Sequence, residues 1–203
     1  AAKADMYLKS KEYPSALVSL EEAIEKEKSK KNRGRYAFIK AQLYEKMGDY
    51  AQAQSEYQRS KKFSPEFELD LNANLNELKL AFRNGGATQK QTIKKLEKLL
   101  DDKKNNEFQD QIYFALAQVK LDAGETEEAI ADFESSLNAT GSNANVKLES
   151  YYRLANLLFD EGYYRKSKGN YDAALKMMKK ALHEANMKEI EADAVMKLFD
   201  LKR

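Results

Sequence analysis

The residues able to do chemistry in this chain are few and scattered. The single histidine, His183, lies in Lys180-Ala-Leu-His-Glu-Ala-Asn186. A metal centre wants several convergent ligands, and no second histidine stands four residues beyond His183, so this stretch reads as a helix surface or helix end. With no cysteine, the chain has no thiolate ligand, no cysteine nucleophile and no disulfide framework. The usual nucleophilic triads therefore lack members, and we expect neither catalysis nor a cofactor nor a metal. The acid pairs Asp101-Asp102 and Glu127-Glu128 fall at expected helix ends, where carboxylates favour helix termini and solvation. Asn84-Gly85-Gly86-Ala-Thr-Gln-Lys90 has the glycines of a phosphate loop but lacks its Gly-Lys-Ser/Thr ending and any preceding strand. It reads as a helix–helix turn. Asn138-Ala-Thr140 is a formal glycosylation acceptor, relevant only in a host that glycosylates such sequons.

The elements around these residues are helical. Of 203 residues 33% are charged and only 8 are Gly and 2 Pro, a composition rich in helix formers and poor in breakers. The 35 basic and 33 acidic residues nearly cancel, which argues against a nucleic-acid binder. The basic run Lys26-Glu-Lys28-Ser-Lys30-Lys31-Asn-Arg33 reads as a solvated helix end and loop. No apolar run approaches a membrane span. Ala1 opens inside an amphipathic stretch, as expected of a processed or excised piece whose address is missing.

A repeat organises the chain. Small residues recur twelve apart at Ala4 and Ala16, Ala41 and Ala53, Ala117 and Ala129, and Ala155 and Ser167. A large residue follows four after the second: Leu20, Tyr57, Leu96, Phe133 and Tyr171. The third unit is degenerate, with Leu78 and Thr92 in the small places and a longer turn at Asn84-Gly85-Gly86. Two antiparallel helices approach closely only where both carry small side chains, and the large residue seals the next contact. Turns lie between the small places, at Lys11-Glu-Tyr-Pro14, Met47-Gly-Asp-Tyr50, Ala123-Gly-Glu-Thr126 and Glu161-Gly-Tyr-Tyr164, where glycine supplies a left-handed C-cap.

These columns are those of the tetratricopeptide repeat, although the period here is 37–39 residues against about 34 for the standard unit. The surplus falls between units, in Lys30–Gly34, Asp101–Asn106 and Ala139–Ala144. We expect an all-α fold, a right-handed superhelical solenoid of about five helical hairpins in one array. The units span approximately 1–31, 32–64, 65–104, 105–141 and 142–186. A terminal helix over 187–202, with Ile190, Ala194, Leu198 and Leu201 on one side, would cap the array.

In such arrays the first helix of each pair lines the concave face. With the first small residue as place eight, place five holds Phe38, Leu75, Phe114 and Tyr152, and place nine holds Gln42, Lys79, Gln118 and Asn156. Aromatics supply contact area and amides can pair with a peptide backbone, so these eight residues are a candidate peptide groove. The same aromatics could equally bury against the neighbouring helix and leave no groove. The clamp by which some tetratricopeptide domains grip a chaperone's C-terminal carboxylate needs Lys and Asn at places five and nine. Phe38 with Gln42 and Leu75 with Lys79 do not supply it.

Four stretches carry a narrower resemblance: Ser64-Pro-Glu-Phe-Glu-Leu69, Leu100 to Ala117, Leu148-Glu-Ser-Tyr-Tyr-Arg-Leu-Ala155 and Asn170-Tyr-Asp-Ala-Ala-Leu175. They resemble the repeat region of the SprE/PorW-type tetratricopeptide lipoproteins of the type IX secretion and gliding motility machinery of Bacteroidota. The resemblance runs from about Tyr36 to Leu201 and implies a periplasmic or outer-membrane-associated scaffold within a secretion assembly. The chain departs from that family in lacking the lipidated cysteine, and Lys40 stands where a repeat core usually has Leu. The expected partner is a protein or peptide segment, with no nucleic acid and no membrane span. Self-association as a homo-oligomer, and service as the regulatory segment of a larger enzyme, are the alternatives.

Overall fold

Helix signals in the sequence convert directly into elements in the computed structural model, which describes residues 2–141, 143–162 and 166–173. In chain order these are α1 (Ala2–Lys9), α2 (Tyr13–Lys26), α3 (Lys30–Lys46), α4 (Tyr50–Phe63), α5 (Phe67–Arg83), α6 (Gln89–Asp101), α7 (Gln109–Asp122), α8 (Thr126–Asn138) and α9 (Ala144–Asp160). A 3₁₀ helix, Lys103–Phe108, precedes α7, and residues 166–173 are helical. Starts are capped as the residue types require. Asp49 accepts the Gln52 amide at 3.1 Å, Ser29 accepts that of Asn32, and Asn143 accepts those of Asn145 and Val146. Pro14 occupies the first turn of α2, where its missing N–H costs nothing, and α4 stops at Phe63 ahead of Ser64-Pro65.

One backbone event recurs in every expected turn. Lys11, Gly48, Gly85, Gly124 and Gly162 all have positive φ, between 59° and 82°, and each lies seven residues after a first small place. This left-handed residue ends the first helix and turns the chain back; its recurrence at Gly85 places Leu78 correctly in the degenerate unit.

The chain divides into two compact units, the first ending at Thr88 and the second beginning at Gln89. The division falls in the turn of the third pair, so α5 belongs to the first unit and α6 to the second. In the first unit Ala4, Ala16, Leu20 and Leu43 form one core, with Tyr36 and Ile39 packed against it, and Ala41, Ala53, Tyr57, Ala73 and Leu80 form another. In the second unit Ala117, Ala129, Phe133, Leu154 and Leu158 make the core. The small and large columns are thus the buried ones: Thr92, Leu96, Ser167 and Tyr171 are also fully enclosed, and only Leu78 is half-buried. The surplus segments take three forms. Lys30–Gly34 lengthens α3, Asp101–Asn106 leads into the 3₁₀ helix, and the segment before α9 is a connector. The expected cap at 187–202 lies outside the described residues.

Candidate functional site

The eight expected groove residues fall on four first helices, two in each compact unit. Helical geometry puts places five and nine on one face, and residues three further along, at Glu45, Phe82, Leu121 and Phe159, continue the same stripe. In the first unit, Phe38 on α3 is half-buried and meets Tyr57 of α4 edge-on at 5.2 Å and 69°, while Gln42 is exposed. Glu45 accepts hydrogen bonds from the Tyr57 hydroxyl at 3.0 Å and from Arg83 at 3.2 Å. Burial, then the Glu45 carboxylate, raises the Tyr57 phenol well above its ordinary value. On α5, Leu75 and Lys79 are buried and Phe82 is half-buried.

In the second unit, Phe114 on α7 repeats the arrangement, meeting Phe133 of α8 edge-on at 5.6 Å and 65°. The Arg153 guanidinium of α9 stands 5.9 Å from the Phe114 ring. Gln118 is buried, and Tyr152, Asn156 and Phe159 on α9 are half-buried. Asn156 accepts the Tyr171 hydroxyl through Oδ1. Phe38 and Phe114 therefore each have one edge in the hairpin core and part of their surface outside it. Stripes Phe114–Gln118–Leu121 and Tyr152–Asn156–Phe159 carry no formal charge. The last member of each stripe lies beyond the eight expected residues, although the i, i+4, i+7 spacing was there to be read.

The strongest electrostatic feature lies elsewhere, on three helices of the first unit. Lys40, only 5% exposed, donates to Glu21 of α2 and, at 2.8 Å, to Glu56 of α4, itself 8% exposed. Arg59 of α4 pairs with both oxygens of Glu21 at 2.7 and 2.8 Å and with Glu56 at 3.4 Å. The Arg59 hydrogen bond is the main force holding the Glu21 carboxyl down at about 2, with Lys40 contributing after it against the opposing effect of burial. For Lys40, burial pulls the ammonium value down, but the two carboxylates outweigh it and leave it raised. The missing core leucine at Lys40 is thereby explained: the position is filled by a neutral ionic quartet.

The remaining expectations resolve locally. In the basic run, Glu27 accepts the backbone amide of Ser29 and the side-chain amide of Asn32, Lys31 pairs with Glu66 at 2.6 Å, and Arg33 stacks 4.0 Å from the Phe63 ring. Asp102 caps the 3₁₀ helix by accepting the Lys104 amide, and Glu127 and Glu128 lie in the first turn of α8. The Asn84 side chain accepts the Gly86 amide, closing a turn. His183 lies outside the described residues. Among the described residues no group of three or more His, Cys, Asp or Glu could hold a metal, and no helix is long and apolar enough to cross a membrane.

Residues 34–67 and 110–143 match the tetratricopeptide repeat family model. These segments cover α4 and α8 whole, α3 from Gly34 onward and all of α7 but its first residue. No curated protein sequence matches the chain. Several solved structures are similar to it. TTC0263, a thermophilic TPR protein from Thermus thermophilus, aligns with a TM-score of 0.64 at 16% identity, over 97% of this chain and 95% of its own. PlcR of Bacillus thuringiensis, solved in complex with the peptide PapR7 and DNA, aligns with a TM-score of 0.55 at 18% identity, over 83% of this chain and 69% of its own. Pseudomonas aeruginosa pilF gives 0.50 at 17% identity, over 98% and 87%. At these identities the likeness is one of fold.

Proposed function

We propose that this tetratricopeptide-repeat chain is a non-enzymatic scaffold, an array of five hairpins that holds a protein or peptide segment against its first helices. Tetratricopeptide repeats serve generally as protein-interaction modules, and the PlcR structure contains a bound peptide on a related fold. The observation that carries the reading is the second unit's stripe chemistry. Phe114, Leu121, Tyr152 and Phe159 are half-buried and keep apolar surface outside the core, beside the amides of Gln118 and Asn156. Rigid aromatics give contact area at low entropic cost and the stripe carries no charge, so an uncharged extended or helical segment is the fitting occupant. The finer reading, an accessory role in a secretion or motility assembly, rests on the SprE/PorW resemblance.

The test is crosslinking mass spectrometry on complexes captured from the native host, with wild-type chain and a Phe114→Ala/Tyr152→Ala double variant. The variant is expected to keep its helical circular dichroism and lose partner capture at least tenfold, with wild-type crosslinks mapping to α7 and α9. Undiminished capture by a folded variant would sink the stripe as the binding face. Crosslinks that never include secretion-machine components would remove the assembly reading while leaving the scaffold reading intact.

A further inference from the structure

The ionic quartet is more than a substitute for a leucine, because of how its members are distributed. Three of the four, Lys40, Glu56 and Arg59, belong to the α3–α4 hairpin, and Glu21 alone comes from the first hairpin. Both cations reach for it: Lys40 through Nζ and Arg59 through two nitrogens. The groups that face it are thus Lys40 on α3 and Glu56 and Arg59 on α4, with Arg59 also 5.4 Å from the Phe63 ring. Glu56 would be left to serve both cations, its Oε1 already shared by Lys40 at 2.8 Å and Arg59 at 3.4 Å. Neutralise Glu21 and two cations, one of them 5% exposed, are left sharing a single carboxylate. Uncompensated charge in a partly desolvated site is expensive, and the least costly relief is to let water in between α2 and α3.

We propose that Glu21 is an ionisation-dependent clasp: its charged carboxylate holds the α1–α2 hairpin onto α3–α4, and its neutralisation frees that hairpin while the rest of the chain stays folded. Opening gives up the packing of Leu20 against Leu43, and what drives it is the rehydration of Lys40 together with Arg59. Closed, Glu21 keeps its charge down to about 2, but opening returns its carboxyl to the ordinary 4.5, so the clasp weakens progressively as pH falls from 4.5 toward 2 and is closed at neutrality.

Hydrogen exchange followed by mass spectrometry on the full chain tests this, with protection factors corrected for intrinsic rates at pH 7 and pH 2.5. Amides of α2 are expected to lose at least tenfold more protection than those of α4 and α8 on acidification. Glu21→Gln is expected to show the same selective loss already at pH 7, whereas Glu22→Gln, at an exposed neighbouring acid, is expected to leave α2 unchanged. The wild-type pH comparison needs no variant, and α8 reports folding in each sample. Loss of α2 protection in step with α4 and α8 overturns the proposal, as does a Glu21→Gln chain indistinguishable from wild type or a Glu22→Gln chain that opens equally.

Discussion

Lys40 shows how a single buried charge can be either stable or ruinous depending on its company. Removing one partner of a buried pair strands the other, whereas replacing the set by apolar groups can be neutral or better. Lys40→Ala leaves Glu56 buried beside Arg59 alone and is expected to lower stability by about 3 kcal/mol, the low end of such losses because Arg59 still serves Glu21. Urea denaturation would read this as a lower midpoint with an unchanged slope. Gly34 makes a second residue-scale case. A Cβ built there would stand 2.7 Å from the Cβ of Ser64, in the connector after α4. In the α7–α8 repeat the small residue sits on the other side of the contact, one position beyond the place of Ser64. Asp110 is the helix residue, and Gly141 is the connector residue whose Cβ would meet the Asp110 carboxylate at 1.9 Å. Ser60 and Ser136 close the two sites alike, donating to the carbonyls of Gly34 and Asp110 at 2.8 and 2.7 Å. Gly34→Ala is therefore expected to cost about 1–3 kcal/mol by overpacking. Adding Ser64→Gly should return part of the loss; strictly additive effects in a double-mutant cycle would refute the close approach.

Among the elements, the turns decide how each hairpin closes. Four of the five use glycine in the left-handed region; the first uses Lys11, at φ 59°. A lysine there carries a steric cost that glycine does not, so Lys11→Gly is expected to stabilise the chain by about 0.5–1 kcal/mol. The reverse change, Gly124→Ala at φ 82°, is expected to destabilise by about 1 kcal/mol, although nothing crowds the added methyl. Thermal unfolding followed by circular dichroism should move in opposite directions for the two variants; parallel shifts would show that backbone conformation is not the cause. The closing of α7 on α8 and α3 on α4 by edge-on aromatic pairs belongs to the same scale, and ties the face on which a partner would lie to the hairpin core.

At the scale of the whole molecule, the two compact units are glued differently at the place just before the first small residue. The first unit puts Lys40 and Glu77 there, and Glu77 pairs with Lys61 of α4 at 2.8 Å; the second puts Leu116 and Leu154 there, both buried. Stability should accordingly depend on pH chiefly through the first unit, which holds the two most displaced groups, Glu21 and Tyr57. Glu21 is depressed from 4.5 to about 2, so its contribution is full above pH 4.5 and is lost as pH falls toward 2. Tyr57 is raised from 10.0, so the unfolded chain loses that proton first and stability declines as pH climbs past 10. A plateau between those limits is the expected outcome of denaturation midpoints measured across pH. A maximum confined to one narrow pH within the range would contradict it.

The all-α repeat was legible in the sequence because it is written in local spacing. Twelve residues between small side chains, four more to a large one and a turn residue seven after the first fix which helices pair and where each reverses. Those are constraints of helix geometry, independent of what lies far along the chain. The stripe residues at places five and nine were legible for the same reason. Their state was not: whether Phe114 or Leu75 is half-buried or enclosed depends on side chains from other helices. The clasp was legible only as an oddity, a lysine in a core place at Lys40; nothing local names Glu21 and Arg59, nineteen residues to either side, as the charges that gather around it. Only packing brings them within hydrogen-bonding reach, and only the desolvation that packing imposes makes the charge of Glu21 matter.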